Sequence, residues 1–360
     1  MRGHVGVILE RMQISPGQKI APVFGTIVGL VEMPAQYKMN HDANLVIDGA
    51  DILPPKHDRS ALDPRAPQMP ETQSATDTAS TLRDQVRPFL FEALDIRGAL
   101  VQLGDTWRAL QARRAYPAPV ARLLGEMTAV TALIAANLKH PGRMTFQLKG
   151  QGPVALLVLD CDERLRLRGM ARSRPEVAEA PVPDLLGHGQ LALTLESAHM
   201  RQPYQSLVPL DGDSIGAIFE HYLERSEQQP TRLFLQAGAD RAAGLFLQKL
   251  PDADRRDPDG WTRVQRLAET VRPAELTGLG GVPLLSRLFP EEDIRVYDPR
   301  PVSHHCPEDW PKVEAMLRTL GQAECEATLR EHGEILIQDE ICGHDYRFDA
   351  PRIAALFNRT

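Results

Sequence analysis

The chain has 360 residues, of which 42% are hydrophobic and 25% charged, a composition typical of a globular protein with room for two domains. Its net charge of −7 at pH 7 argues against a nucleic-acid binder, because an acidic surface does not attract a phosphate backbone. Four scattered cysteines do not make a secreted disulfide scaffold. With no secretory signal and no apolar run of ~18 residues, we expect a cytoplasmic protein without a membrane partner.

The first 82 residues differ in composition from the rest of the chain. The stretch LPPKHDRSALDPRAPQMPETQSATDTAS (53–80) is rich in proline and small polar residues. Such a segment cannot bury enough apolar surface to offset its chain entropy. We therefore predict that residues 1–82 are a disordered extension or a mis-assigned start, with Met69 as the true initiator. An intact mass of the native protein that includes residues before Met69 would contradict the second alternative.

The chain becomes regular from about residue 83. The run VRPFLFEALDIRGALVQL (86–103) predicts extended structure with a bend at Gly98. A helix from Thr106 to Arg114 follows, and then a long apolar helix with Pro119 in its first turn, where the missing N–H costs nothing. Two charged residues in the long helix favour a buried core helix over a membrane span.

The pattern then changes to short alternating runs. Residues 143–172 alternate apolar and polar side chains between the turn sequences GQGP and DCDE, which predicts an antiparallel meander with one solvated face. A helix with one apolar face begins after Asp213 and Ser214. The runs TRLFLQ and AGLFLQKL predict a further hairpin. We therefore predict an α+β core domain over residues 83–255.

Residues 256–300 are predicted to form an amphipathic, hinged linker. The run WTRVQRLAETV carries one apolar stripe, and the glycine-rich break TGLGG separates it from the short apolar helix VPLLSRLF. These pieces have too few apolar residues for a core of their own, so we expect the linker to dock on the core domain.

Residues 301–360 are predicted to form a small module of two helices, a strand EILIQ, a turn DEICGHD, a strand YRF and a closing helix. A unit of this size gains from a metal or a disulfide. Its clusters HHCPE (304–308) and DEICGHD (339–345) hold one cysteine each, whereas a strong zinc signature has two. A zinc site, a redox switch and the remnant of one all remain open from these residues.

Several ordered stretches resemble one known family. They are FLFEALDIRGALVQL, TFQLKGQGPVALLVLD, LRLRGMAR, YLERSEQQPTRLFLQ, EEDIRVYDP and GEILIQDEICGHDYRF. From about residue 83 to its end the chain resembles the 33 kDa chaperonin family, the redox-regulated heat-shock holdases of the bacterial cytoplasm. The resemblance implies a two-lobed α+β core, an amphipathic linker and a C-terminal zinc-type ββα module. It also implies unfolded client proteins as partners in the stress response, and the activated chain could pair as a homodimer.

The family motif implies a variant zinc site. Its zinc is held by four thiolates in a C-x-C and a C-x-x-C, and the corresponding positions here are Cys306, Glu308, Asp339 and Cys342. Zinc accepts carboxylate oxygen, although a harder ligand set should hold it less tightly. The alternative is that zinc has been lost. The histidines that could replace a carboxylate are His304, His305 and His344.

The resemblance also implies a simplified redox switch. With one cysteine in each half of the motif, only a Cys306–Cys342 disulfide is available, so we predict one switch disulfide instead of two. Cys161, in the turn DCDE, is predicted to be exposed, protonated and incidental. Cys325 is predicted to pack on a helix or to tolerate exposure there.

A holdase needs apolar surface that is hidden at rest and exposed under stress, rather than catalytic residues. The sequence has no Walker loop, no G-x-S-x-G and no H-E-x-x-H, so we predict no enzyme activity. The alternatives are a constitutive holdase with a degenerate switch, and a thiol or zinc redox protein without chaperone activity. The predicted client-binding residues are those of the linker stripe, Trp261, Val264, Leu267, Val271, Leu284, Leu285, Leu288 and Phe289.

Overall fold

The computed structural model describes residues 83–138, 142–197, 200 and 202–358. The predictions for residues 1–82, including the one for Met69, lie outside this part of the chain. The described residues form two compact units, 83–304 and 305–358. The predicted start of the C-terminal module, residue 301, falls just before this division, and the predicted linker belongs to the larger unit.

The larger unit is built from antiparallel strands and helices. Its strands are β1 (Gln85–Phe91), β2 (Ile96–Leu103), β3 (Arg143–Gly150), β4 (Val154–Cys161), β5 (Arg166–Ser173), β6 (Gly189–Glu196), β7 (Tyr204–Pro209), β8 (Thr231–Ala237), β9 (Ala242–Lys249), β10 (Ile294–Val296), β11 (Arg300–Pro301) and β12 (Ser303–His304). Its helices are α1 (Asp105–Gln111), α2 (Ala118–Ala136), α3 (Val182–Leu186), α4 (Ile215–Glu227), α5 (Ala253–Arg256), α6 (Gly260–Ala268), α7 (Pro273–Gly278) and α8 (Gly281–Leu288).

These strands form two sheets in the larger unit. In the first, the order is β10-β1-β2-β9-β8, with β11 also paired to β1. In the second, the order is β12-β5-β4-β3-β6-β7. Adjacent strands are antiparallel except for β12, which pairs parallel to β5. The α+β class and the meander over β3, β4 and β5 are therefore confirmed.

The long apolar helix α2 lies between the two sheets, where it contacts β8 and β9 of the first and β4 and β5 of the second. Within the described residues it is the helix long and apolar enough to cross a membrane, but 78% of its apolar window is buried inside the protein. It is the core helix that the sequence predicts. Pro119 lies in the first turn of this helix, as predicted, and is buried.

The first strand pair corrects one prediction. The run 86–103 forms a hairpin whose turn lies at residues 92–95, where Leu94 and Asp95 donate N–H groups to the carbonyl of Phe91. Gly98 is not at a bend but within β2, directly opposite Phe89 on β1. A Cβ atom at Gly98 would collide with the Phe89 ring. The glycine therefore provides room for an aromatic side chain rather than a turn.

Two predictions made from local sequence, the helix start at Ser214 and the later hairpin, are confirmed. Ser214 caps α4 by accepting a hydrogen bond at its Oγ from the Ala217 N–H, 3.1 Å away. The predicted hairpin forms as β8 and β9, which pair from Thr231–Gln248 to Ala237–Ala242.

The smaller unit, residues 305–358, has its own core. Its elements are α9 (Trp310–Leu320), α10 (Gln322–His332), β13 (Ile335–Gln338), β14 (Asp345–Phe348) and α11 (Ala350–Asn358). The two strands form an antiparallel hairpin. Buried side chains from every element meet in one cluster, among them Leu317, Cys325, Ile335, Phe348 and Ile353.

Candidate functional site

The turn between β13 and β14 is held by Asp339. Its carboxylate Oδ1 accepts hydrogen bonds from the backbone N–H groups of Ile341 and Cys342, at 2.7 and 3.1 Å. Its backbone carbonyl accepts from Gly343, which has a positive φ of 68° that favours glycine. This tight turn fixes where Cys342 and His344 leave the backbone.

The structure brings Cys306 next to this turn. Cys306 and Cys342 form a disulfide, with their Cα atoms 6.1 Å apart, inside the ordinary range for such a bond. The His344 ring packs beside them, with Nε2 at 2.7 Å from the Cys306 carbonyl oxygen. Residues from the two sequence clusters, far apart in the chain, therefore meet at one point of the smaller unit.

Glu308 links this point to an aromatic cluster. One carboxylate oxygen accepts a hydrogen bond from Trp310 Nε1 at 2.8 Å, and the other lies 3.8 Å from His344 Nδ1. The Trp310 ring packs edge-on against Tyr346, with ring centroids 4.8 Å apart. The Arg352 guanidinium carbon lies 3.8 Å from the Trp310 ring centroid. The aromatic cluster thus positions the Glu308 side chain through the hydrogen bond from Trp310.

Among the described residues, Cys306, Cys342 and His344 form a group that could hold a metal ion, since their ligand atoms all lie within 4.8 Å of one another. His304 belongs to β12 in the larger unit, and His305 is exposed. Two sulfurs and an imidazole nitrogen suit zinc, which binds Cys and His side chains in preference to oxygen-only sets. The same two sulfurs can form a disulfide or bind a metal, but not both together.

The ligand set predicted from the sequence comprises the two cysteines, Glu308 and Asp339. The structure places all four near the turn, but the Asp339 carboxylate bonds to backbone N–H groups and the Glu308 carboxylate to Trp310. Their role as ligands remains a prediction. The short spacing from Cys342 to His344 was the sequence signal for a third donor.

The other two cysteines are buried. The prediction that Cys161 is exposed is wrong, because only 1% of its surface is accessible at the end of β4. Burial, followed by the charges of Asp162 and Asp160, raises the pKa of its thiol far above the ordinary value. Cys325 is fully buried on α10, and burial raises its thiol pKa as well. Both thiols are therefore protonated and shielded.

A second candidate site lies in the larger unit, where α5 to α8 cover the outer face of the first sheet. The buried linker side chains are Val264, Leu284, Leu285, Leu288 and Phe289, each at most 2% exposed, with Trp261, Leu267 and Val271 packed around them. The sheet and its β1–β2 turn contribute a matching apolar face formed by Phe89, Phe91, Leu94, Ile96, Leu100, Leu245 and Leu247.

The sheet side of this interface was missed by the sequence reasoning. The available signal was β2, IRGALVQL, which is apolar on both faces and therefore needs a cover on both. Also missed was Gln102, a 5% exposed side chain whose Nε2 donates to the carbonyls of Leu276 and Leu279, at 2.9 and 2.6 Å. This amide fastens the end of α7 to the sheet.

The fold and these two sites can be compared with known proteins. The model of the Hsp33 protein family matches residues 84–349, about three quarters of the chain. This chain belongs to the Hsp33 family. A 33 kDa chaperonin from Methylobacillus flagellatus is 38% identical over 278 residues, which are 77% of this chain and 95% of that protein. One from Chromobacterium violaceum is 40% identical over 277 residues, 76% of this chain and 94% of that protein.

A solved structure agrees with this assignment at the level of the fold. The crystal structure of a 33 kDa chaperonin (heat shock protein 33 homolog) from Thermotoga maritima superposes with a TM-score of 0.65 at 18% sequence identity. The match covers 76% of this chain and 97% of that one. The resemblance drawn from the sequence motifs is thus confirmed. The Hsp33 family is a family of chaperones rather than a class of enzymes.

Proposed function

We propose that this Hsp33-family chain is a redox-regulated holdase of the cytoplasm, which binds unfolding or oxidatively damaged client proteins and prevents their aggregation. The main support is the interface between the linker helices and the first sheet. It holds the large apolar side chains that a client would need, and it is formed by short helices rather than by a continuous core element.

Release of α5 to α8 would expose both halves of this interface. The linker would present Trp261, Leu284 and Phe289, and the sheet would present Phe91 and Ile96. Contiguous apolar patches of this kind bind the exposed core residues of other unfolding proteins. The negative net charge of the chain would help to keep the loaded complex in solution.

The switch that we propose is the Cys306–Cys342 pair. With hydrogen peroxide as the oxidant, each thiolate loses one electron as the S–S bond forms and the O–O bond of the peroxide breaks. The peroxide accepts these two electrons with two protons and leaves as two water molecules. The smaller unit follows the linker directly in sequence, so a change in its stability on oxidation would reach the linker along the chain.

In the reduced chain, we propose that zinc is held by Cys306 and Cys342 with further donors from Glu308, Asp339 or His344. Zinc bound there would cross-link the two sequence clusters and so stabilise the smaller unit. Formation of the disulfide withdraws both sulfurs from such a site, and the remaining donors alone would hold zinc weakly.

An aggregation assay with a heat-unfolding client tests this proposal. We expect the full chain to suppress light scattering after treatment with peroxide and heat, but not in the reduced form. The double variant Cys306→Ser/Cys342→Ser is the control: it cannot form the disulfide, so its activity should be the same with and without peroxide. Static light scattering of the oxidised chain without client measures its molar mass, and so tests for the homodimer that the family resemblance implies.

The other outcomes separate the alternatives. Suppression by both the reduced and the oxidised chain would indicate a constitutive holdase with a degenerate switch. Failure of both forms to suppress aggregation, with reversible Cys306–Cys342 oxidation, would indicate a thiol or zinc redox protein instead.

A further inference from the structure

We infer that His344, and not Asp339, is the third protein ligand of the zinc site, an inference that rests on the zinc binding proposed above. The site would then consist of Cys306, Cys342 and His344, with the Glu308 carboxylate next to them. This assignment changes the donor set from two sulfurs and two oxygens to two sulfurs, one nitrogen and one oxygen.

The first argument is that the Asp339 carboxylate already has a structural role. Its Oδ1 accepts hydrogen bonds from both Ile341 and Cys342 within the turn. Rotation of this side chain toward a metal would leave those two N–H groups without their acceptor and would release the turn that positions Cys342. If Asp339 bound the metal, the turn that holds Cys342 in position as a ligand would therefore be lost.

The second argument is the position of His344. Its side chain is 6% exposed, and one of its ring nitrogens lies within 4.8 Å of both cysteine sulfurs. Nε2 faces the Cys306 carbonyl oxygen at 2.7 Å, so it carries the proton and donates. The lone pair is then on Nδ1, which is the form in which an imidazole binds a metal. A bond from the second ring nitrogen to a backbone carbonyl is the usual support of a ligating histidine.

The third argument is the place of Glu308. Its carboxylate oxygen lies 3.8 Å from His344 Nδ1, close to the ~3–4 Å that separates neighbouring ligand atoms around a tetrahedral zinc. Its other oxygen is held by Trp310. Rotation of this half-exposed side chain toward the cysteine sulfurs would complete a four-donor set and would leave the turn of Asp339 intact.

Zinc affinity measured on the reduced full-length chain tests the inference. The variants are His344→Asn and, as the matched control, Asp339→Asn, which keeps the Oδ1 acceptor and loses only the charge. By competition with a chromophoric chelator, we expect His344→Asn to lose at least ~100-fold in affinity, since loss of an outer partner alone costs 10–100-fold. Asp339→Asn should stay within ~10-fold of the unsubstituted chain.

Cobalt(II) substitution gives a readout that does not depend on affinity. The visible d–d bands of the cobalt protein should shift in His344→Asn and remain unchanged in Asp339→Asn. The variant His344→Cys, which restores a zinc ligand, should bind more tightly than His344→Asn. The far-ultraviolet circular dichroism of each metal-free variant controls for folding.

The result that overturns the inference is the reverse order, with Asp339→Asn weakened and His344→Asn unaffected. That result would leave the proposed zinc site and switch standing. Absence of zinc from the reduced, unsubstituted chain would overturn both the inference and the metal part of the proposed function. The aggregation assay reports on the chaperone function separately.

Discussion

At the scale of single residues, the four cysteines fall into two chemical classes. Cys306 and Cys342 are partly accessible and lie side by side, whereas Cys161 and Cys325 are buried in separate cores. Accessible thiols next to a histidine are the ones that ionise and react. The sequence could name the reactive pair from the family motif. It could not show that Cys161 is buried, because burial depends on the packing of β4 against the other strands.

This difference predicts the pattern of alkylation. In the reduced native chain, after removal of metal with a chelator, iodoacetamide should modify Cys306 and Cys342 within minutes, while Cys161 and Cys325 should react only after denaturation. Peptide mass mapping measures each site. Rapid modification of Cys161 in the native chain would contradict the burial on which this prediction depends.

Glu126 predicts a pH dependence of stability. Burial on α2 raises its pKa from 4.5 to about 7, against the opposing charge of Arg122, and Glu179 raises it further. The folded state therefore binds the proton more tightly, so the stabilisation is complete below pH ~4.5 and is lost as the pH rises through 7. The size of the effect is about 3 kcal/mol.

The variant Glu126→Gln should remove this dependence, because the amide does not titrate. Its free energy of unfolding relative to the unsubstituted chain should rise by about 3 kcal/mol between pH 4.5 and pH 8. Urea unfolding at several pH values measures the difference. A constant difference across this range would show that Glu126 is ionised in the folded protein.

The hydrogen bonds of Gln102 predict that its replacement weakens the docking of the linker on the sheet. Replacement with leucine removes the side-chain donor from the buried carbonyl of Leu276, at a cost of about 1–3 kcal/mol, and from the partly buried carbonyl of Leu279. We expect Gln102→Leu to suppress client aggregation without oxidation. Gln205→Leu, at an exposed position on β7, is the matched control and should need oxidation. Equal behaviour of the two variants would exclude a latch role for Gln102.

At the scale of elements, the sequence predicted the helices and strands better than it predicted which of them pack against one another. The meander, the cap at Ser214 and the strand–turn–strand of the smaller unit follow from local patterns, because each depends on neighbours in the chain. The bend assigned to Gly98 was wrong, since its cause is a cross-strand contact with Phe89. The sequence predicted that the linker docks on the core domain, and the apolar run of β2 indicated a face in need of a cover. It could not pair the two, because that contact joins residues far apart in the chain.

Two side chains near opposite ends of α8 should differ in how much they contribute to docking of the linker. Phe289, just after the helix, is 2% exposed and packs edge-on against Phe91 with ring centroids 4.9 Å apart, whereas Val282 is 47% exposed. Phe289→Ala should weaken docking by about 3–5 kcal/mol, and Val282→Ala should have little effect. Hydrogen exchange of residues 253–293 should become faster in the first variant alone. Unchanged protection in Phe289→Ala would mean that this side chain does not hold the linker.

At the scale of the whole molecule, the proposed switch predicts where the chain opens. Arg266 on α6 and Arg287 on α8 are exposed and are not followed by proline, so trypsin can cut after them once the helices unfold. Peroxide and heat should raise the rate of these cuts at least ~10-fold in the unsubstituted chain, because local unfolding controls proteolysis. Cys306→Ser should show no increase. Identical digestion of the oxidised and reduced chains across residues 256–358 would exclude the switch.

The pairing of β10 with β1 has a consequence for how the linker would return. The strand β9 ends at Lys249 and β10 begins at Ile294, and both belong to the same sheet. Helices that left the sheet while β10 stayed paired would form a loop tethered at both ends, not a free tail. Such a tether keeps the loop near its own sheet at an effective concentration of roughly millimolar. The tethered helices would therefore compete continuously with a bound client for the sheet. This competition favours release of the client once the disulfide is reduced.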